Sequence, residues 1–492
     1  MTVAPRHPDA AAPAREQEDG AVAPTSSAVW RRMHPITPVL KGWQILAVLL
    51  VIVGNQVGDN VVNAQRFLSG GGWRWVLLVL VATAVVGGAW ASLAWRMTSY
   101  AVDEQAVHLR TGILLRQRRQ ARLDRLQAVD VVKPFLGRVF GLAKLTLEVA
   151  GGSGSAVELA FLKESEADAL RAELLARAAG IQRTGGDDPA PVAPEQQVFE
   201  LAPTRLIGSL LLSSTTFVLV PALIGLTVWA VSVREVAPVL AMLPAVLGVG
   251  SALWARFARE FGFRAAISPD GIRLRHGLLE QRAQTVPPGR VQAVRVTQGP
   301  LWRGQDWWRV QINVAGYGSG KGSEDANVLL PVGSRAEALH AIWLVLPDLG
   351  VPDPRETLQV ALSGSGPERG FLTMPRRSRW LDPWGWRRRG VLVTDRALLI
   401  RSGWFVRHLI LVPHERTQSL ALQQGPWQRA LGVSSVTVHS TPGPVSPVIA
   451  HLDAAEATRL LTEQADRARV ARAGAGPEQW MSRTANGTDD HA

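Results

Sequence analysis

Hydrophobic residues follow two alternating patterns along this chain. Four stretches are apolar almost throughout: Leu40 to Gly58, Trp73 to Trp95, Leu206 to Val233 and Val236 to Trp254. At a rise of about 1.5 Å per residue, each stretch is long enough to cross a lipid bilayer as a helix. A buried helix of a soluble protein would match any single stretch, but four stretches in two close pairs favour two transmembrane hairpins.

After each apolar pair, apolar and polar residues alternate with a period of two, which is the pattern of half-buried β-strands. These two copies run from Tyr100 to Ala179 and from Gly262 to Pro347, and a third copy, without an apolar pair before it, runs from Arg387 to Ala471. Each copy ends in a segment with helical periodicity. The sequence therefore predicts three small antiparallel barrels or bent sandwiches of six or seven short strands, each closed by a C-terminal helix.

Five identical positions recur at fixed offsets in the three copies, which indicates internal duplication. The signature is Arg110, Gly112, Arg125, Gln127 and Arg138, then Arg275, Gly277, Arg290, Gln292 and Arg303, then Arg401, Gly403, Arg416, Gln418 and Arg429. The glycine follows a strand and is expected to supply the positive φ of a hairpin turn. The arginines suit phosphate binding, but their recurrence without other shared polar chemistry favours a structural role.

The signature resembles the bacterial pleckstrin-homology-type (PH-like) domain of membrane proteins of the YdbS and YdbT type. The resemblance rests on Gly-Ile-Leu, Gly-Leu-Leu or Gly-Trp-Phe at the turn, Arg-x-Gln after thirteen residues, and a later Arg-x-x-Gly. It implies a PH-like barrel with a C-terminal helix, in a family whose members mostly have no assigned activity. In the second copy Asp306 stands where Gly141 and Gly432 stand, with Gly304 two residues earlier, so the resemblance does not fix the geometry of that loop.

The predicted fold class is mixed, with four transmembrane α-helices and three antiparallel β PH-like barrels. In order, the predicted parts are a disordered tail (1–38), a transmembrane hairpin (39–96), PH-like domain 1 (97–180), a linker (181–204), a second hairpin (205–256), PH-like domain 2 (257–348), a linker with a Trp/Arg-rich segment (349–386), PH-like domain 3 (387–472) and a disordered tail (473–492).

The charge distribution predicts how these parts are oriented. Lys plus Arg (53) outnumber Asp plus Glu (41), which gives a net charge of +12. The hairpin loops hold few basic residues, chiefly Arg66 and Arg234, whereas basic residues crowd the opposite ends of the spans. Because cytoplasmic flanks carry the excess of Lys and Arg, we expect a multi-pass inner-membrane protein whose termini and PH-like domains are cytoplasmic.

One segment combines tryptophan and arginine where the first two copies have a hairpin. It is too polar to cross a bilayer, and its candidate membrane-surface or anion contacts are Arg376, Arg377, Arg379, Trp380, Trp384, Trp386, Arg387, Arg388 and Arg389. Cations near an anionic leaflet contribute about 1 kcal/mol each, and indole rings anchor at headgroup depth. An interdomain linker that packs its indoles on a neighbouring barrel fits the same pattern, and the sequence leaves both interpretations open.

The sequence offers no catalytic motif. It contains no cysteine, which excludes disulfides, Cys-ligated zinc and thiol nucleophiles. The glycine cluster at Gly316 to Gly322 lacks the Ser/Thr and spacing of a phosphate-binding loop, and the ten histidines show no metal-ligand spacing. We therefore expect no enzymatic activity, no cofactor and no metal, and the leaflet is a nearer anion for the basic surface than nucleic acid.

These observations predict a docking or assembly platform that gathers proteins or anionic lipids at the inner leaflet. The expected partners are the bilayer, anionic phospholipid headgroups and other membrane or cytoplasmic proteins, and exposed barrel edges favour a homo-oligomer. Two alternatives remain open at this point. One is a membrane component of an export or antimicrobial-resistance system, and the other is a lipid-modifying enzyme with an unrecognised site.

Overall fold

The computed structural model describes residues 30–32, 73–103, 105–112, 117–123, 126–149, 157–178, 196–233, 237–268, 271–315 and 327–474. The first predicted span, Arg125 of the signature and the glycine cluster at 316–322 lie outside these residues, as do most of the two predicted tails.

The described residues form three modules of the same plan, each with seven strands and a C-terminal helix. The first module comprises β1 (Arg31–Arg32), α1 (Trp73–Arg96), β2 (Ser99–Val102), β3 (Ala106–Thr111), β4 (Gln117–Arg122), β5 (Leu126–Pro134), α2 (Phe135–Val139), β6 (Leu142–Val149), β7 (Val157–Lys163) and α3 (Glu164–Ala178).

The second module adds a helical insert of three helices. It comprises β8 (Gln196–Glu200), α4 (Pro203–Leu211), α5 (Ser214–Val233), α6 (Ala237–Glu260), β9 (Arg264–Ser268), β10 (Gly271–His276), β11 (Glu280–Val286), β12 (Val291–Gln298), β13 (Trp307–Val314), β14 (Val328–Ser334) and α7 (Arg335–Val345).

The third module has a short polar insert instead of membrane-length helices. It comprises α8 (Pro354–Ser363), β15 (Leu372–Thr373), β16 (Gly390–Val393), β17 (Ala397–Ser402), β18 (Arg407–Pro413), β19 (Ser419–Gln423), α9 (Pro426–Ala430), β20 (Val433–His439), β21 (Val448–Asp453) and α10 (Ala454–Gly474). The predicted threefold repetition of a sheet-rich module is confirmed.

Each module begins earlier in the chain than the predicted boundaries. Its first strand pairs with its second across the insert: Arg31 lies opposite Tyr100, Gln196 opposite Ile267, and Leu372 opposite Val391. The first strands therefore fall in the predicted tail 1–38 and in the predicted linkers 181–204 and 349–386. These strands have two to five residues, too few for the alternation to be visible in the sequence.

The modules are joined edge to edge by strand pairing. Strand β5 of the first module pairs with β11 of the second, and β12 of the second pairs with β18 of the third. Two seven-stranded sheets result, in the orders β7-β6-β5-β11-β10-β9-β8 and β14-β13-β12-β18-β17-β16-β15. One buried cluster contains Ile312 and Leu329 of the second module together with Leu358, Leu399 and Leu411 from the third. The hydrophobic core is therefore continuous across the second junction.

The predicted third span, Leu206 to Val233, is divided into two helices. In α4, Leu206 and Leu210 are buried in the core of the second module, and Trp302 Nε1 donates to the Ser209 carbonyl at 3.1 Å. Helices α5 and α6, by contrast, expose many of their large apolar side chains, such as Val228 on α5 and Leu247 on α6. The start of the predicted second hairpin, at residue 205, therefore belongs with the second module.

One bent pair of helical segments in this region has the length and apolar composition of a membrane span. Among the described residues, no single helix is both long and apolar enough to span a bilayer. The segments Pro203–Phe217 and Val220–Val233, bent by 58° relative to each other, meet that requirement together.

The signature glycines form the predicted hairpin turns. Gly112, Gly277 and Gly403 have φ values of 109°, 113° and 78°. At the later loop, Asp306 has φ of 50°, close to the 65° of Gly141 and the 59° of Gly432. The second copy therefore keeps a positive φ at this position without a glycine. The Asp306 carboxylate accepts hydrogen bonds from two nearby side chains, from Trp308 Nε1 at 2.9 Å and from Arg335 Nε at 3.0 Å.

Candidate anion-binding groove between the second and third modules

The Trp/Arg-rich segment connects β15 to β16 and is held in a compact turn. It opens with a 3₁₀ turn at Arg376–Trp380, after which Asp382 accepts a hydrogen bond from the Gly385 backbone N–H at 2.9 Å. Arg389 pairs with the same carboxylate. Burial would raise the pKa of Asp382, but Arg389 and the Gly385 N–H hold it below its ordinary value. The turn is therefore closed by an ionised aspartate.

Only four of the nine predicted contact residues of this segment lie together in one groove. Trp384, Trp386, Arg387 and Arg388 line one groove. The others lie elsewhere: Arg377 donates to the Gly432 carbonyl and pairs with Asp453, Arg389 pairs with Asp382, and Arg376, Arg379 and Trp380 are exposed outside the groove.

The groove has a volume of about 480 Å³ and lies where the second module meets the third, beside the C-terminal end of α8. Three tryptophans and four arginines contribute to its lining, and no acidic residue does: Trp384, Trp386, Trp404, Arg303, Arg387, Arg388 and Arg407. The arginines come from the second module, the insert and the strand β18. Folding thus concentrates like charges from three parts of the chain in one concave site.

Exposed indole rings stand beside these charges. The ring centroids of Trp384 and Trp404 are 5.7 Å apart at an interplanar angle of 60°, and the two residues are 72% and 53% exposed. The Arg387 guanidinium lies 5.4 Å from the Trp386 ring centroid. Exposed tryptophan next to arginine is the combination that anchors proteins at the boundary between headgroups and hydrocarbon.

Arg388 forms the buried wall of the groove. It donates to the carbonyls of Leu362 at 2.6 Å and Gly364 at 2.8 Å, at the C-terminal end of α8. Burial lowers the pKa of Arg388 to about 9, and the charges of Arg407, Arg401 and Arg303 add to the shift. An anion in the groove would offset this repulsion.

Two donors at the groove are unused within the described part of the chain. The Nε atoms of Arg303 and Arg388 are buried and make no hydrogen bond there. A buried donor without a partner costs about 1–3 kcal/mol. Both belong to guanidinium groups, whose planar fork fits phosphate oxygens. The arrangement is therefore suited to an anionic ligand.

Arg401 of the repeat signature lies behind the groove, where it holds the backbone of Arg388. It is fully buried, donates to the Arg388 carbonyl at 3.0 Å and to the Gly366 carbonyl, and lies 4.2 Å from the Phe371 ring centroid. The equivalent Arg110 lies 3.7 Å from the ring centroid of Trp30. Both contacts are internal to the fold.

Sequence reasoning missed Trp404 and Arg407, and it assigned Arg303 to the repeat signature alone. A signal was present in the turn, where Trp404 follows the glycine and the other copies have Ile113 and Leu278. A large indole at an otherwise aliphatic turn position is exposed here and contacts Trp384.

Acidification is expected to weaken the junction beside the groove. His408 of β18 lies opposite Thr297 of β12. Burial lowers the pKa of His408 to about 4, and Arg295, Arg388 and Arg389 contribute in the same direction. The unfolded chain, with a histidine pKa of about 6.5, binds the proton more strongly, so stability that is complete above pH 6.5 declines toward pH 4. The loss at pH 5 is expected to be about 1–2 kcal/mol.

Denaturant unfolding of the detergent-solubilised full chain at pH 7 and pH 5 measures this loss. His408→Gln is expected to reduce the difference between the two pH values by about that amount. The matched control His439→Gln replaces an exposed histidine and is expected to leave the difference intact. An unchanged difference in His408→Gln would show that other groups govern the acid response.

The comparisons with known proteins also divide the chain into three repeats. A family model described as the bacterial PH domain matches residues 46–178, 213–344 and 360–468. The UPF0699 transmembrane protein YdbT of Bacillus subtilis (strain 168) is 20% identical over 395 residues, which cover 72% of this chain and 78% of that protein. No solved structure gives a significant match.

Proposed function

This chain belongs to the bacterial PH domain family, and we propose that it is a non-enzymatic integral membrane protein that binds anionic lipid headgroups at the inner leaflet. The modules would then act as a docking platform held at the membrane surface. The observation that carries this proposal is the groove lined by four arginines and three tryptophans, without an acidic residue.

Membrane attachment is supported by two independent features. Helices α1, α5 and α6 expose large apolar side chains, among them Val85, Val228 and Leu247, each more than half exposed. The relative YdbT is named a transmembrane protein. Positive charge at the module-side ends of the predicted spans supports cytoplasmic modules and termini. The groove would then face the leaflet that carries anionic lipids.

The chemistry of the groove favours a headgroup with a net negative charge over a zwitterionic one. Arg303, Arg387 and Arg407 provide guanidinium groups around one concavity, and Trp384 and Trp404 provide exposed rings for the glycerol and upper acyl region. Charged hydrogen bonds to a phosphate contribute about 1.5–3 kcal/mol each. Phosphatidylcholine offers the same phosphate but adds a quaternary ammonium, which the arginines repel, so phosphatidylglycerol should bind more tightly.

The direct test is a fluorescence titration of the detergent-solubilised full chain with short-chain phosphatidylglycerol or phosphatidylcholine. We expect Arg387→Gln/Arg407→Gln to weaken phosphatidylglycerol binding at least about tenfold, since it removes two charged donors. The control Arg376→Gln removes an exposed arginine outside the groove and is expected to have little effect. Equal binding of both lipids, or equal weakening by both variants, would contradict headgroup recognition and leave protein docking as the function of the modules.

A further inference from the structure

The two junctions between modules use the same strand register. In the first, Arg282 lies opposite Val132, and in the second, His408 lies opposite Thr297. Arg282 and His408 each follow the turn glycine of their module by five residues (277 to 282, 403 to 408). Val132 and Thr297 each follow the signature arginine by seven (125 to 132, 290 to 297). The register is therefore a property of the repeat.

A signature arginine reinforces both junctions in the same way. Arg138 of the first module donates to the Leu278 carbonyl of the second at 2.9 Å. Arg303 of the second donates to the Trp404 carbonyl of the third, and to the Phe405 carbonyl at 2.8 Å. Leu278 and Trp404 directly follow the turn glycines. The third arginine of the signature thus fastens each module to the hairpin turn of the next.

Within the described residues, the first and third modules each present one strand that occupies a junction position but pairs with no other module. Strand β4 is the counterpart of β11 and β18, and β19 is the counterpart of β5 and β12. In the part of the chain that the structure describes, β4 and β19 are the outer strands of their sheets. Arg429, the counterpart of Arg138 and Arg303, is exposed and makes no side-chain hydrogen bond with the described residues.

We propose that β19 of one copy pairs with β4 of a second copy, so that the array of modules continues from chain to chain. The conserved register places Gln423, seven residues after Arg416, opposite Gln117, five residues after Gly112. Arg429 then reaches the hairpin turn at Gly112 of the second copy. The occupant of both exposed edges is therefore another copy of this chain.

Charge favours this head-to-tail pairing over pairing of two β4 edges. Strand β4 carries Arg118, Arg119 and Arg122, so two β4 edges repel each other, whereas β19 (Ser-Leu-Ala-Leu-Gln) has no charge. Arginine opposite an aliphatic residue is already present in the first junction, where Arg282 faces Val132. Such a heterologous contact generates a ring if the rotation closes and a filament otherwise. This inference is independent of lipid binding by the groove.

Cysteine cross-linking tests the register, because the natural chain contains no cysteine. Opposite residues in an antiparallel pair have Cα atoms about 4.5–5.5 Å apart, within reach of a disulfide. Full-length Gln423→Cys and Gln117→Cys proteins are mixed in detergent and oxidised. We expect a disulfide-linked heterodimer, and much less product when Arg119→Cys replaces Gln117→Cys, since that position lies two residues out of register.

Two further measurements keep the test decisive. The intramolecular pair Thr297→Cys/His408→Cys occupies the same register positions and calibrates the cross-linking yield. Mass photometry of the wild-type chain is expected to show concentration-dependent oligomers that dissociate at least about tenfold more readily in Arg429→Ala, with Arg376→Ala as the control. Exclusively monomeric protein, equal yields in both registers, or cross-linking of Gln423→Cys only with itself would overturn the proposal.

Discussion

A Glu260→Gln variant is expected to lose about 3–5 kcal/mol of the free energy of unfolding of the second module. Glu260 is buried, with Oε1 2.7 Å from Arg309 Nη2 and 3.2 Å from Arg256 Nε. Burial would raise the pKa of Glu260, but the two arginines hold it below its ordinary value. Glutamine keeps the shape and leaves two guanidinium charges without an anion in a buried site.

The effect is expected to spread to the connection between helices and sheet. Glu260 is the last residue of α6 and Arg309 belongs to β13, so the pair fastens the apolar hairpin to the module. Hydrogen–deuterium exchange of the full chain should show faster exchange in β13 peptides of Glu260→Gln. The exposed pair of Glu200 with Arg264 supplies the control, since Glu200→Gln changes only a solvated contact. Equal exchange in the two variants would mean that the buried charge is not needed.

The sequence predicts the interior of each module well, because the information is local. Alternation fixes which face of a strand is buried, and Gly277 and Gly403 mark turns that require a positive φ. The first strands are different. Leu372 and Thr373 form a two-residue strand that pairs with β16 across the whole Trp/Arg-rich segment, and no periodicity can be read from two residues.

The boundary of the third predicted span was hidden for a related reason. Hydropathy averages over the run from Leu206 to Val233, yet Leu206 and Leu210 pack against the second module while Val228 is exposed. An apolar side chain has the same hydropathy whether it faces protein or lipid. The division between α4 and α5 therefore depends on tertiary contacts, such as the hydrogen bond from Trp302 to Ser209.

The candidate groove was only half predictable. The Trp/Arg-rich segment stands out in the sequence because six arginines and three tryptophans are concentrated in a polar stretch. The opposite wall comes from Arg303 in the second module and from Trp404 and Arg407 in the third. Edge-to-edge pairing of β12 with β18 joins those modules, and such pairing follows from free backbone groups that any sequence provides.

Alanine at Gly403 is expected to destabilise the third module by about 3 kcal/mol or more, and to disrupt the groove as well. Gly403 has φ of 78°, and a Cβ atom there would lie 1.9 Å from the Val406 carbonyl oxygen, so the turn between β17 and β18 must open. Trp404 and Phe405, which follow it, present the carbonyls that Arg303 binds. Both the hairpin and the second junction should therefore loosen.

Gly141→Ala separates the steric effect from the conformational one. Gly141 has a similar φ of 65°, but no atom lies within 4 Å of the added methyl group, so its cost is expected to be about 1 kcal/mol. Hydrogen exchange should accelerate in β17, β18 and β12 for Gly403→Ala, with weaker binding of short-chain phosphatidylglycerol, because the turn carries Trp404 into the groove. If Gly403→Ala cost no more than Gly141→Ala, the turn would have another way to accommodate a side chain, and the link between hairpin geometry and groove would fail.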